Sequence, residues 1–89
     1  IEPTPIVALN RAIALSRMQG AAAGLRALAP MRDDPTLSRY YLFHATLGEL
    51  SREAGDLTAS ARHYAAALAL PTSAPVRRFL QRRLDAAQA

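Results

Sequence analysis

Two histidines, His44 and His63, and the adjacent carboxylates Asp33 and Asp34 are the residues whose types suit acid–base or metal chemistry. General acid–base catalysis needs an imidazole or carboxylate in a pocket, held by an orienting partner. Neither histidine has a carboxylate three or four residues away, and on a helical wheel His44 falls among Tyr40, Leu47 and Ser51. That placement predicts a core imidazole satisfied by a carbonyl. Asp33-Asp34 stands directly before Pro35, which reads as a helix cap and not as a metal site. Gly20 and Gly24 fit a helix turn, not a phosphate-cradling loop. There is no Cys, which excludes disulfides, thiolate-bound zinc and thiol nucleophiles. These residues predict a protein that is not an enzyme, with no catalytic residue, metal ligand or cofactor.

The charge that remains is arginine. The 89 residues carry 11 Lys and Arg, all of them Arg, against 7 Asp and Glu, a formal charge of +4. Residues 1–74 sum to +1 and residues 75–89 to +3. In the last segment Arg77, Arg78 and Arg82 share one wheel face, opposite Val76, Phe79, Leu80 and Leu84. Such a face suits contact with DNA or an acidic protein surface. It equally suits the polar outer side that a terminal capping helix needs. No aromatic residue is interleaved among these arginines for base stacking. Arg83 falls on the apolar side between Phe79 and Val76. There its stem can snorkel, or its guanidinium can meet Glu53 or Asp56.

The elements that carry these groups are helices. Half the residues are apolar, Ala is abundant and β-branched residues are few, and no stretch alternates with the period of a strand. Thr4-Pro5 predicts a first helix to about Met18, stopped at Gly20. Ala21 to Ala29 makes a short second helix, ended by Pro30. Asp34-Pro35 opens a long third helix to about Ala54, closed by Gly55. Asp56 or Thr58 starts a fourth, to Leu70 before Pro71. Residues 72–75 link it to a fifth, from Val76 to about Ala87. No apolar run approaches the roughly 20 residues of a membrane span.

Gly20 and Gly55 each separate a longer helix from a following one and lie 35 residues apart. This is close to the tetratricopeptide period of about 34. In the second unit Leu47-Gly48, Gly55-Asp56, Ser60, Tyr64 and Ala67 stand at matching places and Pro71 ends it one residue early, with His44 for the customary Trp and Ser51 for the customary Tyr. Leu9 and Ala12 match more loosely in the first. The predicted fold is all-α: two tetratricopeptide-like hairpins plus a capping helix, five helices in one domain over 1–89.

In such folds the first helix of each repeat lines a concave groove. On the first helix Ile6, Leu9, Ala12 and Ile13 make the core stripe, and Val7, Asn10, Ala14 and Arg17, with Arg11 at the edge, make the groove side. On the third, Leu37, Tyr40, Phe43, His44, Leu47 and Leu50 face inward. Leu42, Ala45, Thr46, Glu49, Arg52 and Glu53 face the groove. Asn10, Arg11 and Arg17 would then clamp a carboxylate-bearing segment. Alternatively, Arg17 pairs with Glu49 or Glu53 and the groove is a solvated, salt-bridged face. Glu49 and Glu53, like charges at i,i+4, call for a cation in either case.

Pro5-Ile6-Val7-Ala8-Leu9-Asn10-Arg11-Ala12-Ile13-Ala14 resembles the start of the C-terminal extension in one group of bacterial extracytoplasmic-function sigma factors. Asp34-Pro35, Leu37, Arg39-Tyr40, His44-Ala45, Arg77-Arg78-Phe79-Leu80 and Arg82-Arg83-Leu84 agree in order, over nearly the whole chain. The resemblance implies a cytoplasmic regulatory appendage that influences sigma activity in place of a separate anti-sigma protein. Its partners would be the sigma-factor core regions in cis, RNA polymerase or a regulatory protein, with DNA bound by regions before Ile1. A start at Ile1 and not Met fits a piece of a longer chain. Two repeats fall short of the three or more such arrays use, which predicts docking on the rest of the chain or self-association.

Overall fold

A computed structural model describes residues 4–89 of the chain; Ile1 to Pro3, the first residues of the expected domain, lie outside the described residues. Six α-helices follow one another: α1 (Pro5–Gln19), α2 (Ala21–Leu28), α3 (Pro35–Ser38), α4 (Tyr41–Glu53), α5 (Leu57–Leu68) and α6 (Ala74–Gln88), with a 3-10 turn over Ala29–Met31. The fold is all-α, and no strand occurs among the described residues. α1 packs on α2 and α4 on α5, two hairpins in series, and α6 closes the second by packing on α5. The five expected helices are α1, α2, α4, α5 and α6.

Local chemistry fixes most helix ends. The side chains of Thr4, Asp34, Asp56 and Ser73 each accept a backbone N–H of the first turn of α1, α3, α5 and α6. Pro5, Pro35 and Pro75 sit in first turns, where a missing N–H costs nothing. Both hairpins turn on a glycine with positive φ, Gly20 at 97° and Gly55 at 87°. At Gly55 the motif is complete: Gly55 N–H donates to Arg52 O at 3.0 Å and Asp56 N–H to Ser51 O at 2.8 Å. A positive-φ glycine thus closes the first helix of each unit, 35 residues apart, although at Gly20 the closing bond is only Gly20 N–H to Ser16 O, at 2.8 Å.

Three expectations are corrected. The long third helix is broken at Arg39–Tyr40 into α3 and α4. The Ser38 carbonyl, which would accept from residue 42 in a continuous helix, instead accepts His44 Nε2–H at 2.9 Å. Ile6 is 39% exposed and leaves the core stripe. α2 has 8 residues against the 15 of α1 and is too short to cover its first turn. Gly24 is not in a turn but inside α2, where a Cβ would meet Ser16 Cβ at 2.6 Å; it lets α1 and α2 close on each other.

The core has two centres. Leu9, Ala12, Leu28, Leu37, Phe43, Leu47 and Leu50 join the first hairpin to α3 and α4. Ala45, Tyr64, Ala67 and Leu80 join α4, α5 and α6, with Val76 and Leu84 packed against them. Gly48 makes the second centre possible, because the Tyr64 ring lies where its Cβ would be, at 2.8 Å.

Candidate functional site

α1, α4 and α6 contribute to one concave surface. Its deeper part, about 450 Å³, is lined by Ile13, Ser16 and Arg17 of α1 and by Leu42, Thr46, Glu49, Leu50 and Glu53 of α4. The recess beside it shares Leu42, Thr46 and Glu49 and adds Ala45, Tyr64, Phe79 and Arg83. The two recesses adjoin at Leu42, Thr46 and Glu49, which border both. Of the residues expected to line the groove, Arg17, Leu42, Thr46 and Glu49 are brought together, with Glu53 beside them.

The rest of the expected set is dispersed. Only the C-terminal half of α1 borders the groove; Val7 and Asn10 lie in its first two turns, exposed and outside the lining. The break at Arg39–Tyr40 shortens the wall that a continuous helix from Pro35 would have set opposite them. Arg11 borders a different depression, between α1 and α2, with Ala8, Leu15 and Met31. An Asn10–Arg11–Arg17 clamp is therefore not formed. Ala45, expected on the groove side, lines the recess toward α6 and is at the same time buried against Tyr64 and Leu80, where α5 and α6 close over that side of α4.

The carboxylates find a cation on their own helix. Arg52 makes a forked ion pair with Glu49, its Nε–H donating to Oε2 at 3.0 Å. The Tyr64 hydroxyl donates to the same oxygen at 3.0 Å, tying α5 into the pair. The hydrogen bond from Arg52, then that from Tyr64, holds the Glu49 carboxyl below its ordinary range against the opposing effect of burial, with the Arg83 charge adding to it. Burial first, then the bond to Glu49, pushes the Tyr64 phenol up. The expected pairing of Arg17 with Glu49 or Glu53 is not made. Arg52–Glu49 is the one ion pair within 4.0 Å among the described residues.

α6 supplies groove residues that the wheel had assigned to the core. Phe79 is 43% exposed, and the Arg83 guanidinium lies over its ring, 5.3 Å from the centroid. Arg83 thus makes no ion pair with Glu53 or Asp56 but lines the same recess as Glu49, whose charged form it favours. Val76, Leu80 and Leu84 suffice to bury α6, and Phe79 lies about 100° round the helix from Leu80. The expected basic face is divided. Arg77 Nη1 donates to the Leu68 carbonyl at 3.0 Å and caps α5. Arg78 and Arg82 remain exposed, Arg82 bordering a shallow recess with Phe79, Arg83 and Ala86.

His44 finds the expected carbonyl partner in Ser38, but the ring is half-buried and lies at the surface and not in the core. Among the described residues no three His, Asp or Glu side chains are grouped to hold a metal ion. Among the described residues no helix is long and apolar enough to cross a membrane. The groove offers apolar side chains between charged ones.

Comparison with known proteins adds one relative. An uncharacterized protein of Rhizobium meliloti is 32% identical over 85 residues, covering 96% of this chain and 20% of the relative. The chain thus spans about a fifth of the length of the curated relative it matches. No family model and no solved structure matches the chain.

Proposed function

We propose that the chain is a non-catalytic interaction and regulatory module of an extracytoplasmic-function RNA polymerase sigma factor, working through the concave surface of α1, α4 and α6. The reading rests on the residues that resemble that family and on where they fall. Pro5 to Ala14 is the body of α1, Asp34-Pro35 caps α3, and Arg77 to Leu84 forms α6. One observation carries it. Leu42 and Phe79 are left accessible in a groove whose cations, Arg17 and Arg83, have no carboxylate within 4.0 Å among the described residues. An apolar centre with a charged, partly unsatisfied rim is what a docking protein segment covers. The partner would be the sigma core regions in cis, polymerase or a regulatory protein in the cytoplasm, with promoter DNA read elsewhere in the longer protein.

Run-off transcription with the full-length protein tests this. Leu42→Glu and Phe79→Ala are expected to change transcript yield at an unchanged promoter-binding constant; wild-type yield from both variants would refute the proposal. The other reading is a basic module that contacts nucleic acid through Arg77, Arg78 and Arg82. It is weakened by the engagement of Arg77 with Leu68. Salt-dependent duplex binding that is lost in Arg78→Ala/Arg82→Ala would favour it instead.

A further inference from the structure

Away from the groove, and sharing no residue with its lining, the structure gathers basic side chains from three parts of the chain. Arg32 follows the 3-10 turn, His44 comes from α4, and Arg62 and His63 come from α5. They border a depression of about 280 Å³ whose apolar side is Phe43, Leu47 and Ala66. Asp33 is the single carboxylate on its rim. Neither Arg32 nor Arg62 has a carboxylate oxygen within 4.0 Å among the described residues. The His44 ring is held in place by its bond to the Ser38 carbonyl.

We propose that this depression binds an anionic group, phosphate or carboxylate, and binds it more tightly as the pH falls and His63 takes up a proton. Two guanidiniums border one space with His63, so a proton taken up by His63 is repelled by them, and an anion among them relieves that repulsion. Burial first, and then the charges of Arg62, His44 and Arg32, hold His63 below its ordinary value; Asp56 opposes them more weakly. The Asp56 carboxylate also caps α5 through Ala59 N–H, at 3.0 Å. Arginine presents a planar fork to either anion, and the protonated imidazole adds an N–H donor. Proton and anion then favour each other's binding, and the coupling is reciprocal.

That reciprocity gives the test. The titration of His63 would be followed by NMR at fixed ionic strength in chloride, then in inorganic phosphate, then in acetate. The His63 midpoint is expected to rise by about half a pH unit at saturation, which corresponds to roughly threefold tighter binding to the protonated form. A rise in phosphate alone assigns a phosphate ligand, and a rise in acetate assigns a carboxylate. In Arg32→Gln/Arg62→Gln, both exposed positions, the anion-dependent rise should vanish. An unchanged midpoint in both anions, or a rise undiminished in the double variant, would overturn the proposal. Neither outcome bears on the groove.

Discussion

Tyr64 is where the packing and the electrostatics of the second hairpin meet. Its ring fills the space left by Gly48, and its hydroxyl donates to Glu49, which Arg52 grips from the other side. Removing only the hydroxyl, as in Tyr64→Phe, leaves the ring in place and takes one donor from a charged acceptor. It should cost about 1 kcal/mol in urea unfolding, since Glu49 is partly exposed and water substitutes in part. It should also bring the Glu49 midpoint back toward its ordinary value, readable by NMR. Ser60 is the opposite case. It is fully buried and its Oγ has no hydrogen-bond partner. Ser60→Ala therefore removes a desolvated polar atom at little loss of contact. It should leave stability unchanged or raise it by up to about 1 kcal/mol. Two positions apart in role, the side chains answer differently to the same kind of change. Neither effect is visible in hydrophobic periodicity, which registers both residues only as inward-facing.

At the scale of elements, the hairpins depend on glycine for two different reasons. Gly48→Ala would drive a methyl into the Tyr64 ring and separate α4 from α5, at about 1–3 kcal/mol. Gly55→Ala meets open space but must hold φ near 87°, at about 1–2 kcal/mol. Chemical denaturation of both variants, with the second rescued by Asn more than by Val, would check the distinction. The helix ends at Thr4, Gly20, Asp34, Gly55 and Asp56 were legible in the sequence because caps and positive-φ glycines are local devices; the start of α6 was not, since residues 72–75 read as a linker and Ser73 caps a helix that begins at Ala74. The break at Arg39–Tyr40 was not legible. It carries no Pro or Gly, and the carbonyl it frees is taken by an imidazole six residues on, a pairing that local pattern does not announce. The groove was half legible. Leu42, Thr46 and Glu49 follow from the wheel of α4. Phe79 and Arg83 do not, because the arc that α6 buries is set by α5 and is narrower than its apolar pattern. The Arg52–Glu49 pair had a readable i,i+3 spacing, yet Arg17 was the partner considered.

For the whole molecule, acid should act in two windows. His63 is held below its ordinary value of 6.5, so the unfolded chain takes up its proton first. Stability then falls as pH drops below about 6.5 and levels off beneath the depressed folded midpoint. Glu49 is held below its ordinary 4.5, and its contribution, present above that value, is lost as pH falls through the lower folded midpoint. Thermal melts between about pH 8 and pH 3 should show both declines, with His63→Gln removing only the upper one. The uneven charge of the sequence takes on a different sense in three dimensions. Of the four cations of α6, Arg77 caps a helix and Arg83 stacks on Phe79 beside the groove, so the segment is only in part a basic surface. The proposed docking face is that of α1, α4 and α6, whose lining includes Leu42 and not Arg78. A photo-crosslinking residue placed at position 42 of the full-length protein, with one at position 78 as comparison, tests it most directly in the presence of polymerase and promoter DNA. Crosslinks from position 42 to the sigma core regions or to a polymerase subunit, with few from position 78, are the predicted result. No protein crosslink from position 42, together with promoter DNA captured from position 78, would contradict it.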